Sequence, residues 1–177
     1  MARMDTLADG VVTLVRWRPD HRDVQVETVV GSLDHLAAWM PWAIDGYDQA
    51  KGDEFLARAA AQWESGEEYN YAIYSPDAEL AGSCGLMRRE DGWEIGYWLA
   101  KSQTGKGYVT RASALLVALA WRLGASQVLI KHDARNVRSG AVPERLGFAR
   151  AGEEKAEGRL PSACSGVNVV WRLERAG

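Results

Sequence analysis

The stretch Glu94-Ile95-Gly96-Tyr97-Trp98-Leu99-Ala100, followed by Gln103-Thr104-Gly105-Lys106-Gly107-Tyr108-Val109-Thr110, decides the fold. Trp93 to Leu99 reads as a strand, and a loop with two glycines one residue apart follows it. Val109 to Leu123 then places Ala112, Leu115, Leu116, Leu119, Ala120 and Leu123 on one helical face, ended by Gly124. Val128-Leu129-Ile130 is short and wholly apolar, as a strand covered on both faces is. Strand 93–99, helix 109–123 and strand 128–132 therefore predict a β-α-β crossover with two parallel strands. The glycines let a backbone approach a diphosphate closely, and the first free N–H groups of the helix point at it.

Working toward the N-terminus, three segments are joined by short turns: Tyr69 to Tyr74, Leu80 to Met87 and Trp93 to Leu99. They are expected to be antiparallel neighbours. Val11 to Trp17, bounded by Gly10 and Pro19, is a first strand. Residues 20–40 are one helical candidate, broken at Trp39-Met40-Pro41-Trp42 because proline disfavours a helical residue before it. Residues 48–65 form a helix with Phe55, Leu56, Ala59, Ala60 and Trp63 as its stripe. Toward the C-terminus, a short helix over 137–147 ends in Leu146-Gly147-Phe148, and strands near 148–155 and 167–174 close the chain. The expectation is an α+β fold: a mixed, mostly antiparallel sheet of about seven strands, flanked by helices, in one domain over residues 1–177.

Size and composition set bounds. At 177 residues one domain with a sizeable core is expected. A net charge of −3 gives no global attraction to nucleic acid or an anionic membrane. Cys84 and Cys164 are far apart and form no C-x-x-C, so two reduced thiols and a cytoplasmic location are expected. Met1 to Gly10 holds no apolar core of a secretory leader, and no run approaches a membrane span. No His/Cys cluster has metal spacing, and no G-x-S-x-G elbow is present. If the chain self-associates, a symmetric homodimer is the expected form.

The glycine loop alone is a weak signal. It is not a Walker A loop, because Lys106 is followed by Gly107, and residue 110 is threonine rather than a third glycine. A tight strand-to-helix turn would explain it equally well. The order of four blocks is more specific: Glu94 to Ala100, Gly105 to Thr110, Asn136-Val137-Arg138-Ser139, and Glu144-Arg145-Leu146-Gly147-Phe148. In this order and spacing the chain resembles the GCN5-related N-acetyltransferase (GNAT) superfamily, and within it the RimJ/RimL-type ribosomal-protein N-acetyltransferase branch. Trp17-Arg18-Pro19-Asp20 and Leu36 to Trp42 are also similar to that branch, so the resemblance covers nearly the whole chain.

The resemblance implies a V-shaped cleft between two splayed parallel strands, holding acetyl-CoA. The pyrophosphate would rest on the amides of Gln103, Thr104, Gly105, Lys106, Gly107, Tyr108, Val109 and Thr110. The pantetheine arm would bond like an extra strand near Trp98, Leu99 and Ala100, with Asn136 assisting. Ser102 stands where the family pattern often has Gln or Arg. Glu94 would be the general base, acting through water, and Ser139 the acid for the leaving thiolate; Glu153 and Glu154 are weaker base candidates. Read as bare residues, Glu94 is equally a strand glutamate in a surface ion pair, and Ser139 a helix cap.

At the acceptor end, Trp39 and Trp42, with Trp63, Tyr69, Tyr71 and Trp93, are an expected aromatic wall. Asp45, Asp48, Asp53 and Glu54 beside it would suit a cationic amine. Loop 157–166 is polar, expected to be flexible, and by position covers the acceptor. The function implied is transfer of an acyl group, foremost acetyl, from acyl-CoA to a primary amine by direct attack in a ternary complex. That amine would belong to a protein N-terminus or a small molecule. A succinyl or other acyl donor, or a catalytically silent acyl-CoA-binding domain, are the alternatives.

Overall fold

The structure, a computed structural model, describes residues 4–177; the first three residues of the Met1 to Gly10 stretch lie outside the described residues. The chain order is β1 (Thr6–Ala8), β2 (Thr13–Arg16), α1 (Arg22–Gly31), α2 (Leu33–Ala37), α3 (Gln49–Ser65), β3 (Glu68–Tyr74), β4 (Leu80–Arg89) and β5 (Gly92–Leu99). Then come α4 (Tyr108–Arg122), β6 (Gln127–Asp133), α5 (Val137–Arg145), β7 (Ala149–Lys155) and β8 (Val167–Glu174). The strands form one sheet in the order β1-β2-β3-β4-β5-β6-β8-β7. Only β5 and β6 pair in parallel; the other neighbours are antiparallel.

Two departures from the sequence reading have plain causes. β1 was not expected, because three residues are too few to show alternation; it pairs with β2 across a turn that Asp9 closes by accepting from the Val11 and Val12 N–H groups. The single helix over 20–40 is two helices, α1 and α2, with Ser32 at their junction outside the helical region (φ −123°, ψ 20°). Its hydroxyl accepts from Lys101 N–H at 2.9 Å, tying this junction to the end of β5.

The main core lies between the sheet and α4, where Leu116, Leu119 and Ala120 meet Leu14, Ile73, Leu86, Ile95, Val128 and Ile130. Two smaller clusters seat α1, α2 and α3 on the opposite face, around Trp17, Leu56 and Ala72 and around Val29, Leu36 and Ala43. The β3–β5 part of the sheet is thus covered on both sides, whereas β6 departs from the sequence reading: Val128 and Ile130 are buried beneath α4, but Leu129 and Lys131 on its other face are only half-buried, because α1, α2 and α3 do not extend over it.

The feature that places the site is the end of the parallel pairing. β5 and β6 pair only over Trp93–Ile95 and Val128–Ile130. β5 stays on β4 as far as Leu99, and β6 stays on β8 as far as Asp133. Past Ile95 each strand therefore follows a different neighbour, and a V opens at their carboxyl ends, where ligands of such sheets bind.

Candidate active site

The N-terminus of α4 faces this V. Gly107 is its N-cap, at φ 78°, with no side-chain cap, and the first intrahelical bond runs from Arg111 N–H to Gly107 C=O. The N–H groups of Tyr108, Val109 and Thr110 are left for a ligand, at the positive end of the helix dipole. The left-handed φ at Gly105 (79°) and Gly107 explains both glycines: a side chain there would strain the loop.

A cleft of about 660 Å³ runs from this helix end into the V. Of the residues expected to bind the donor, Trp98, Leu99, Thr104, Gly105, Gly107, Tyr108, Val109, Thr110, Asn136 and Ser139 line it. Ala100, Gln103 and Lys106 do not. Gln103 is buried and bridges outward, its amide donating to Glu79 Oε2 at 3.0 Å while Lys106 Nζ donates to its Oε1 at 3.1 Å. Lys106 is thereby drawn back toward the loop. The cleft wall instead carries His35, Arg135, Arg138 and Arg145, which the sequence reading missed. Burial, then the charges of Arg138 and Lys101, hold the His35 pKa below its ordinary value.

Asn136 caps α5 by accepting from Ser139 N–H at 3.2 Å, so the cap role belongs to Asn136 and leaves the Ser139 hydroxyl free of it. That hydroxyl donates to the Tyr97 hydroxyl at 3.1 Å, and Tyr97 donates back to the Ser139 carbonyl at 2.8 Å. Burial pushes the Tyr97 pKa up to about 12, against the opposing effect of the Ser139 bond, so Tyr97 is a neutral donor at physiological pH. Tyr97 was also missed, although it shares the face of Trp93 and Ile95 one turn of the alternation nearer the V.

Tyr97 and Met40 stand where three cavities meet. The second, of about 460 Å³, lies on the α1–α3 face of the sheet. Its wall is Trp42, Tyr47, Phe55 and Trp98; Trp42 packs against Trp98 (5.9 Å between centroids) and Tyr47 (5.6 Å). The third, of about 290 Å³, lies under loop 157–166 and is lined by Trp39, His132, Asn136, Ser139, Leu160 and Cys164 among others. Trp39 and Trp42 are thus cavity residues.

Tyr71 and Trp93 line none of these three cavities. Tyr71 is fully buried in the main core, where its hydroxyl donates to Met4 C=O at 2.8 Å. Trp93 is also core, tilted against Tyr69 (5.6 Å between ring centroids) below the V. Trp93 and Ile95 on β5 both point to the core beneath α4, which the aromatic count alone did not reveal. Of the four carboxylates expected beside the wall, three have other partners: Asp45 pairs with Arg159, Asp48 caps α3, and Asp53 pairs with Arg22. Glu54 lines the aromatic cavity.

Glu94 lies on the same face as Gly96 and Trp98, one position below the V. Its Oε2 accepts from Arg89 Nε at 2.8 Å, and it lines none of the three cavities. Glu153 and Glu154 are on outer strand β7, paired with Arg150 and Lys131. His132 is structural: Trp171 Nε1 donates to its Nε2 at 2.9 Å and its Nδ1 faces the Asp133 carbonyl at 2.8 Å.

Loop 157–166 is strapped down rather than loose. Asp133 accepts from Ser165 N–H, Ser165 Oγ and Gly166 N–H; Ala163 N–H reaches Ala38 C=O at 3.1 Å, and Arg159 pairs with Asp45 at 2.8 Å. Among the described residues no group of metal-ligating side chains occurs, and no helix is long and apolar enough to cross a membrane.

Comparison with known proteins agrees with this geometry. YdaF of Bacillus subtilis (strain 168), provisionally named a ribosomal N-acetyltransferase, is 43% identical over 63 residues, 35% of this chain. The match spans only 34%, about a third, of that relative's length. The RimL ribosomal L7/L12 α-N-protein acetyltransferase, solved with coenzyme A, superposes with a TM-score of 0.85 at 21% identity, covering 95% of this chain and 96% of that one. The microcin C7 self-immunity acetyltransferase MccE, solved with acetyl-CoA and AMP, gives 0.85 at 18% identity over 94% of each chain. At these identities the structural likeness is one of fold. The model of the Acetyltransferase (GNAT) domain matches residues 12–149, most of the chain including the splayed strands and the glycine loop, and the chain belongs to the GNAT acetyltransferase family.

Proposed function

We propose that this protein is an acetyl-CoA-dependent N-acetyltransferase acting on a primary amine, with the whole chain serving as one catalytic domain. The observation that carries the reading is the uncapped N-terminus of α4 facing the V between β5 and β6. The residues fit the donor. Three free N–H groups and the left-handed Gly105 and Gly107 suit a pyrophosphate; Arg135, Arg138 and Arg145 add positive charge along the same cleft. The edge of β5 from Gly96 to Leu99 has no β6 partner and is open to an extended arm.

Bound acetyl-CoA supplies an acetyl thioester, whose carbonyl carbon takes the lone pair of the amine while the carbon–sulfur bond breaks. Ser139 Oγ gives its proton to the departing sulfur. Tyr97 keeps that hydroxyl at the junction of the cavities. Glu94 receives the proton lost by the amine through water, being the carboxylate of β5 on the acceptor face. The aromatic cavity by Trp42 and Trp98 takes the body of the acceptor. RimL, with its L7/L12 α-amine, and YdaF support a protein N-terminus as acceptor. The two free cysteines, Cys84 and Cys164, support a cytoplasmic location.

The test is free-thiol release from acetyl-CoA with a set of peptide and small-molecule amines. Amine-dependent release supports the reading. Binding of acetyl-CoA with no release on any amine points to a silent binding domain.

A further inference from the structure

The aromatic cavity contains a polar group that the catalytic reading leaves without a task. Asn70 on β3 lies beside Gly85 on β4, which lies beside Gly96 on β5, in one row across the sheet. A Cβ on Gly85 would come within 2.3 Å of Asn70 Oδ1, so the Asn70 amide lies over Gly85. Its orientation is fixed. Nδ2 donates to Glu68 Oε2 at 3.1 Å, and a carboxylate only accepts, so Oδ1 must be the atom over the glycine. Among the described residues no donor bonds to Oδ1 and no cation pairs with Glu68. Asn70, Glu68, Gly85, Gly96, Tyr97 and Trp98 all line this cavity.

We infer that Asn70 Oδ1 is the group that holds the acceptor's amine, with Glu68 locking the amide. The inference rests on the acyl-transfer reading above and adds the amine subsite to it. A carbonyl oxygen over a glycine floor accepts one N–H of the amine and leaves the nitrogen lone pair for the thioester side. Trp42, Tyr47 and Trp98 then contact the carbon atoms next to the nitrogen, so the acceptor is a primary amine carrying an apolar or aromatic group. Glycine is required at residue 85 because any side chain there displaces the amide.

Two sources of such an amine are separable: a small arylalkylamine, probed by 2-phenylethylamine, and a peptide N-terminus, probed by trialanine. Thiol release is measured with both for the unaltered protein, Asn70→Ala, Asn70→Asp, Glu68→Gln and Gly85→Ala, alongside acetyl-CoA affinity by tryptophan fluorescence. Gly85→Ala keeps both polar side chains and displaces only the amide. The expected result is a fall in kcat/KM for the amine of about tenfold in Asn70→Ala and in Gly85→Ala, the loss of one hydrogen bond, with acetyl-CoA affinity unchanged. The probe with the larger loss identifies the source. Unchanged kcat/KM in both variants overturns the inference, as does absence of transfer to either probe by an unaltered protein that binds acetyl-CoA. Failure to bind acetyl-CoA overturns instead the reading on which it rests.

Discussion

Ser139 and Tyr97 form the smallest unit of the site, joined by a 3.1 Å bond between their hydroxyls and a 2.8 Å bond from the Tyr97 hydroxyl to the Ser139 carbonyl, with Tyr97 at the meeting point of three cavities. Ser139→Ala is expected to lower kcat by roughly 10²-fold with acetyl-CoA affinity retained, since a positioned acid is worth about that much. Tyr97→Phe removes both bonds to Ser139 and should lower kcat by about tenfold. Because the Tyr97 pKa is about 12, the pH profile of the unaltered protein should show no step from this group below about pH 10. Glu94→Gln should lower kcat/KM by about tenfold or more; an unchanged kcat/KM would assign the proton to another acceptor. Asn136 and Ser139 were named from the family resemblance, and both line the cleft. Tyr97 was not named, because its importance comes from a partner 42 residues away.

Among the elements, the end of β5 carries the most constraint. A Cβ on Gly82 of β4 would meet the Trp98 carbonyl oxygen at 2.1 Å and Leu99 Cα at 2.9 Å, both backbone atoms that cannot turn aside. Gly82→Ala should therefore push the β5 edge outward, lower stability by about 1–3 kcal/mol, and weaken acetyl-CoA binding; thermal unfolding and a binding titration check both. The β-α-β unit was readable because a long apolar helical face and a wholly apolar short strand admit one arrangement. Of the six aromatics of the expected wall only two reach the cavities around the V, and Trp63 and Tyr69 pack against the main core. Trp39 and Trp42 reach the cavities, while Tyr71 and Trp93 point into the core, and alternation along a strand covered on both faces does not reveal which face holds the site. The division of residues 20–40 at Ser32 left no sequence signal either, since serine is common inside helical candidates and its partner is the distant Lys101.

For the whole molecule, the strap from β6 to loop 157–166 closes the third cavity. Burial pushes the Asp133 pKa up, but the combined bonds from Ser165, Arg135 and Gly166 outweigh it and leave the pKa below the ordinary carboxylate value. This stabilisation is present above the unfolded-state pKa of about 3.9 and is lost as pH falls through the lower folded-state value. Asp133→Asn should cost about 1–3 kcal/mol at neutral pH, roughly 2–9 °C in Tm, and the difference between variant and unaltered protein should shrink in acid. The sequence marked the loop as a cover for the acceptor, but its glycines and serines read as mobility because Asp133 lies over 30 residues away.

The central claim is that the V between β5 and β6 binds acetyl-CoA by the free N–H groups of α4. The most direct measurement is the thermal stability of the unaltered protein and of Gly107→Pro as acetyl-CoA is titrated. At a concentration about a hundred times Kd the unaltered protein should gain about 2.7 kcal/mol, roughly 5–10 °C, while Gly107→Pro, which cannot adopt the positive φ, gains little. No gain by the unaltered protein, or an equal gain by both, would contradict the account.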